Sequence, residues 1–78
     1  MTRILTHGNY GVFVFRERGQ RHHLPHAHIN FRGQRVASIY LLTLELFHEV
    51  DRLPSGLLEQ IREQQEKLLA AWEELNGD

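Results

Sequence analysis

The chain has 78 residues, a net charge of −1, 41% hydrophobic and 24% charged residues, and no cysteine. This length suits a single domain over residues 1–78, and the composition is that of a folded globular protein. The lack of cysteine excludes disulfides and thiolate chemistry. Because the apolar runs are short and the N-terminus is polar, we expect a cytoplasmic protein without a membrane partner.

The first predicted element is a strand over residues 10–16, which are rich in aromatic and β-branched side chains. Because both of its faces are apolar, we expect it to lie centrally in a sheet. Residues 17–25 are polar and contain glycine and proline, which predicts a loop. Residues 26–32 alternate, which predicts a strand whose core face carries Ala27, Ile29 and Phe31 and whose wet face carries His26, His28, Asn30 and Arg32.

A tight turn at Gly33-Gln34 is expected to join this strand to an antiparallel partner over residues 35–41. Residues 43–50 alternate approximately and predict a fourth strand. Pro54 is a start signal for a helix over about residues 55–76, whose apolar positions recur at helical spacing. The predicted fold is α+β: an antiparallel meander of three to four strands within about residues 10–50, covered by one long C-terminal helix. Such a small core supports roughly 3–5 kcal/mol, so a homodimer or a bound metal would add useful stability.

The net charge hides an asymmetry between the two halves of the chain. Residues 1–38 contain six arginines and one acid, and therefore carry +5, together with five of the six histidines. Residues 39–78 contain nine acids and three basic residues, and therefore carry −6. This split indicates that the basic half binds an anionic partner such as RNA or DNA. Alternatively, the two halves neutralise each other within one fold.

Four histidines lie within seven positions, in the stretch Arg21-His22-His23-Leu24-Pro25-His26-Ala27-His28. Three interpretations remain open. In the first, His23, His26 and His28 are the ligands of zinc or another divalent transition metal, with a water at the fourth position. The site would weaken in acid because metal binding requires neutral imidazoles.

In the second interpretation, His26 and His28 are a catalytic acid–base pair acting on an anion such as a phosphodiester. The neighbouring polar and basic side chains would bind that anion, and they are Arg21, His23, Asn30, Arg32 and Arg35. In the third interpretation, the histidines are solvated, hold the loop through hydrogen bonds, or contact a protein partner without catalysis.

The chain also resembles the small bacterial proteins of the domain of unknown function 4160 family, over most of its length from Tyr10 to Trp72. The resemblance rests on His23-Leu24-Pro25-His26-Ala27-His28, on Leu53-Pro54 before the helix, and on Leu68-Leu69-Ala70-Ala71-Trp72 near its end. It implies short strands plus a long helix, a functional role for His23, His26 and His28, and a small protein from a neighbouring gene as partner in a toxin–antitoxin-type module. Leu24 replaces a usual proline, and the apolar Tyr40-Leu41-Leu42 replaces a usual acidic stretch, which favours a buried partner surface over carboxylate-assisted chemistry.

Overall fold

A five-stranded antiparallel meander forms one layer of the protein, as seen in a computed structural model that describes residues 2–16 and 24–77. The strands lie side by side in chain order: β1 (Thr2–His7), β2 (Tyr10–Val14), β3 (His26–Phe31), β4 (Gln34–Tyr40) and β5 (Leu46–Phe47). The predicted α+β class and the meander are confirmed. The sheet, however, has five strands rather than three to four.

The additional strand, β1, precedes the region in which strands were predicted. It pairs with β2 through a two-residue turn at Gly8-Asn9, where Gly8 has a φ of +59°. A glycine–asparagine pair between two strand-like runs is a recognised hairpin signal, so the sequence does contain the information that indicates β1. At the other end of the sheet, the strand predicted over residues 43–50 shrinks to β5, because residues 41–45 form a turn closed by the Tyr40 N–H donating to the Glu45 carbonyl.

The C-terminal segment forms two helices, α1 (Ser55–Glu63) and α2 (Gln65–Asn76), in place of the single predicted helix. The helical geometry is interrupted at Gln64, whose φ and ψ are −102° and 16°. The side chain of Gln65 donates to the carbonyl oxygens of Leu41, at 2.6 Å, and Leu42, at 3.3 Å. Gln65 therefore ties the start of α2 to the turn that follows β4, a tertiary contact that apolar periodicity does not reveal.

Both helices contribute to a core against one face of the sheet. Ala27 and Ile29 of β3 are fully buried there, as the alternation predicted. The remaining core residues come from β1, β2 and β4, from both helices, and from two leucines outside these elements, Leu41 after β4 and Leu53 before α1: Leu5, Val12, Val14, Ala37, Ile39, Leu41, Leu53, Leu57, Ile61 and Leu68. In the described part of the chain, the opposite sheet face has no helix packed over it, and we call it the open face.

Two β-bulges place arginines on the open face. Along β4, Ala37 pairs with Ile29 but Arg35 pairs with Asn30, so Val36 is an extra residue in the ladder. An extra residue reverses the alternation of side chains beyond it. Ala37 therefore faces the core while Arg35, two positions away, faces the opposite side.

The bulge in β1 has the same effect at the outer strand. Arg3 pairs with Phe13 and Leu5 pairs with Val12, which leaves Ile4 as the extra residue. Leu5 is buried in the core, whereas the Arg3 guanidinium lies 5.0 Å from the centre of the Phe13 ring on the open face.

Arg32 does not continue the polar face of β3, contrary to the sequence-based prediction. It is the first central residue of the β3–β4 turn, with a φ of 52°, and Gly33 follows at 84°. Positive φ at both central positions is the geometry of a type I′ hairpin turn, whose twist matches that of the strands. The turn is therefore one residue earlier than predicted, and the Arg32 guanidinium lies 5.2 Å from the ring of Phe31.

Candidate functional site on the open face

His28 is at the centre of a row of side chains that crosses all five strands. The paired positions, from β1 to β5, are Arg3, Phe13, His28, Ser38 and Phe47. Paired residues share a face of an antiparallel sheet, so this row lies entirely on the open face. The row contains two phenylalanines, one arginine and one histidine.

His26 and His28 lie side by side on this face, as the period-two pattern predicted. Their ring centres are 5.1 Å apart and the ring planes are nearly perpendicular, at 86°. The Nδ1 atom of His26 lies 2.8 Å from the carbonyl oxygen of Leu24. A carbonyl only accepts hydrogen bonds, so Nδ1 of His26 carries a proton, and in the neutral ring the lone pair is on Nε2.

His28 is held more tightly, with 9% of its surface exposed. Its Nδ1 lies 3.0 Å from the hydroxyl oxygen of Ser38, which is itself 1% exposed. The ring also meets Phe15 edge to face, with the ring centres 4.9 Å apart. These contacts on two sides fix the orientation of the imidazole, which is the condition for a precisely placed reactive or binding group.

The two histidines open into a concavity of about 420 Å³, which we call the histidine hollow. Its described lining residues are Phe15, Arg16, His26, His28, Arg35, Ser38, Phe47 and His48. Two arginines and three imidazoles are thus present, and no carboxylate belongs to this set. A depression lined in this way offers hydrogen-bond donors and positive charge to an anion.

Aromatic side chains form one wall of the hollow. Phe47 stacks on Tyr40 with the ring centres 4.2 Å apart, and it meets His26 and His48 at larger angles. Phe15 also lines the hollow, and the Arg35 guanidinium lies 6.0 Å from the centre of its ring. The hollow therefore presents π-surfaces beside its cationic groups.

Only some of the site residues predicted from the sequence line the histidine hollow. Arg35 lines the hollow because of the β4 bulge, whereas Arg32 is in the hairpin turn and does not line it. Asn30 is on the open face opposite Gly11, outside the lining, and its buried Oδ1 has no hydrogen-bond partner among the described residues. Arg21 and His23 lie outside the described residues.

Sequence reasoning missed several lining residues, and Ser38 is the most informative of them. A turn at Gly33-Gln34 would have placed Ile39 opposite His28. The earlier turn and the extra Val36 together bring Ser38 to that position. Phe47 and His48 were within the predicted fourth strand, but nothing in their spacing indicates that the strand returns beside the histidines.

The predicted metal ligands are only partly described. Within residues 2–16 and 24–77, no three or more histidine, aspartate or glutamate side chains are grouped so that they could hold a metal ion. A zinc site formed by His23, His26 and His28 would depend on His23, and this ligand set therefore stays a prediction. The carbonyl-bound Nδ1 of His26 is compatible with it, because metal-binding histidines commonly donate their second nitrogen in this way.

Comparison with known proteins finds no matching protein-family model, no matching curated protein and no matching solved structure. The resemblance to the domain of unknown function 4160 family therefore stays a prediction made from the motifs. Among the described residues, no helix is long and apolar enough to cross a membrane.

Proposed function

We propose that the histidine hollow binds the phosphate groups of a nucleic acid, with RNA as the preferred partner. The observation that carries this proposal is the presence of Arg16, Arg35 and three histidines in the lining, which are the charged or titratable side chains among its described residues. Phosphate is recognised by guanidinium and imidazole donors, and positive charge supplies most of the affinity for a nucleic acid backbone.

The distribution of charge over the molecule supports the same proposal. The exposed charged residues of the two helices are mainly acidic: Glu59, Arg62, Glu63, Glu66, Lys67, Glu73 and Glu74. These helices cover the face of the sheet opposite the hollow. A polyanion is therefore attracted to the open face and repelled from the helical side, so it binds the protein on the open face.

The aromatic wall favours single-stranded over duplex RNA. Phe15 and Phe47 line the hollow, and Tyr40 stacks on Phe47. Unpaired bases gain affinity by stacking on such rings, whereas the bases of a duplex are already stacked on one another. Arginines beside aromatic rings would then contact the phosphates that connect the stacked bases.

Equilibrium binding of a fluorescent single-stranded RNA, measured by anisotropy over a range of salt concentrations, tests this proposal. We expect Arg35→Glu to weaken binding at least tenfold and to reduce the slope of log affinity against log salt by about 1. Arg62→Glu makes the same charge change on the helical side and is the matched control, for which we expect less than a twofold effect. Equal losses in the two variants, or no binding at low salt, would contradict a site on the open face.

Two further roles follow from the sequence and need separate tests. Zinc binding at His23, His26 and His28 predicts that zinc raises the melting temperature of the wild-type protein but not of His26→Asn; no increase in the wild type would dismiss the site. The toxin–antitoxin role rests on the family resemblance alone, and it predicts a stable complex with the protein encoded by the neighbouring gene.

A further inference from the structure

We propose that His26 and His28 cleave RNA without a metal, by catalysing attack of a ribose 2′-hydroxyl on the adjacent phosphodiester. This inference rests on the proposed function, since the RNA must first be bound in the histidine hollow. It names the substrate class, a strand with a 2′-hydroxyl at the scissile position, and it assigns a separate proton transfer to each imidazole.

The placement of the two rings fits a shared reaction centre. Their centres are 5.1 Å apart and both rings line the same hollow. A catalytic acid or base acts over a hydrogen-bond distance of about 2.6–3.2 Å. Two rings this close together can therefore both reach the oxygens of a single phosphodiester bound in the hollow. The two ring planes are nearly perpendicular, at 86°, so the rings do not stack on each other and a phosphodiester can contact both of them.

His26 has the features of the general base. Its Nδ1 donates to the Leu24 carbonyl, 2.8 Å away, so the nitrogen that accepts a proton in the neutral ring is Nε2. The carbonyl contact also prevents the ring from flipping, because reversal would place a ring carbon against the carbonyl oxygen. His26 is only partly buried and is therefore within reach of an incoming ribose hydroxyl.

His28 has the features of the general acid. The Ser38 hydroxyl, 3.0 Å from Nδ1, accepts a hydrogen bond from the protonated ring, and the proton that His28 transfers to the leaving oxygen is the one on Nε2. Ser38 thus acts as a positioning residue for His28. Arg16 and Arg35 line the same hollow and would stabilise the extra negative charge that forms on the phosphoryl oxygens in the transition state.

The reaction balances with these groups alone. The 2′-oxygen forms a bond to phosphorus while its proton passes to Nε2 of His26. The bond between phosphorus and the 5′-oxygen breaks, and that oxygen takes the proton from His28. The products are a 2′,3′-cyclic phosphate and a 5′-hydroxyl, no atom changes its oxidation state, and proton exchange with water restores both histidines.

The test measures cleavage of a labelled single-stranded RNA in the presence of a metal chelator, with the chemical ends of the products identified. We expect His26→Asn and His28→Asn to lower the rate by a factor of about 10²–10⁴. Asparagine places an amide nitrogen near the former Nδ1, so the contacts to Leu24 and Ser38 can be kept, and melting temperatures report whether each variant folds. His7→Asn is the matched control, because His7 donates to Gln60 of α1 on the other side of the sheet.

A pH profile adds a readout that a purely structural role would not produce. A base and an acid acting together give a bell-shaped dependence of the rate on pH, and loss of either histidine should remove one limb. Among residues 2–16 and 24–77, the titratable or charged groups around the pair include Arg16, Arg35, Tyr40 and His48.

A fully 2′-O-methylated RNA has no 2′-hydroxyl and cannot be cleaved by this reaction, but it can still bind. Its binding therefore tests the proposed function separately from this inference. Tight binding of that analogue together with no cleavage of the unmodified strand would overturn catalysis and leave the binding function standing. Absence of binding would overturn both. Cleavage that persists in both histidine variants, or that requires a divalent metal, would also overturn the inference.

Discussion

The Nδ1 atom of His28 lies 3.0 Å from the hydroxyl oxygen of Ser38, and both side chains are almost fully buried in the middle of the open face. Because both are shielded from water, water cannot replace the hydrogen bond between them if one side chain is removed. We therefore expect Ser38→Ala to destabilise the protein by about 1–3 kcal/mol, the usual cost of leaving a buried polar group without its partner. Chemical denaturation measures the change.

Ser55→Ala provides the comparison for that measurement. Ser55 is exposed at the start of α1, and no side-chain hydrogen bond caps that helix. Its replacement should change the free energy of unfolding by less than about 0.5 kcal/mol. Equal effects at the two serines would show that the contact between Ser38 and His28 contributes little to stability.

Gly11 provides the space into which the Phe13 ring packs. A β-carbon at position 11 would lie 2.8 Å from Cε1 of Phe13 and 3.2 Å from Nε of Arg3. We expect Gly11→Ala to cost about 1–3 kcal/mol, as overpacking of a filled site does. The penalty should be smaller when it is measured in a Phe13→Leu background, and an unchanged penalty would mean that the ring is not the obstacle.

Gln65 holds the turn after β4 against the start of α2. Its side chain donates to the Leu41 and Leu42 carbonyls, so Gln65→Ala should cost about 0.5–1.5 kcal/mol. Gln64→Ala, one residue earlier and exposed, is the control and should cost less. Thermal melts of the two variants test this, and the expectation fails if Gln64→Ala is the more damaging change.

Arg32→Asn should stabilise the hairpin between β3 and β4. The native residue has a φ of 52°, which is unfavourable for a long side chain, and asparagine followed by glycine is the preferred pair for a type I′ turn. We expect a gain of about 1 kcal/mol, because asparagine avoids part of the roughly 1–2 kcal/mol that the left-handed conformation costs other residues. Because Arg32 is outside the histidine hollow, RNA affinity should change less than twofold; a loss as large as that of Arg35→Glu would place Arg32 in the binding surface.

The sequence by itself determined which side chains of β3 share a face. A period of two leaves no other arrangement for a strand, and Ala27 and Ile29 are accordingly buried while His26 and His28 face the opposite side. The helical spacing after Pro54 likewise indicated the segment that covers the core, because an amphipathic helix must bury its apolar stripe. β1 was not predicted, although the Gly8-Asn9 turn signal that precedes β2 is present in the sequence.

Only the tertiary structure decided what surrounds the two histidines. The extra residue Val36 turns Arg35 toward the open face, and together with the turn at Arg32-Gly33 it brings Ser38 opposite His28. A bulge depends on how two strands and the layer beneath them pack together. The pattern of residues within one strand therefore does not predict where a bulge forms. For the same reason, the position of Phe47 beside the histidines follows from the return of the chain across the sheet, since strand pairing is a contact between residues distant in sequence.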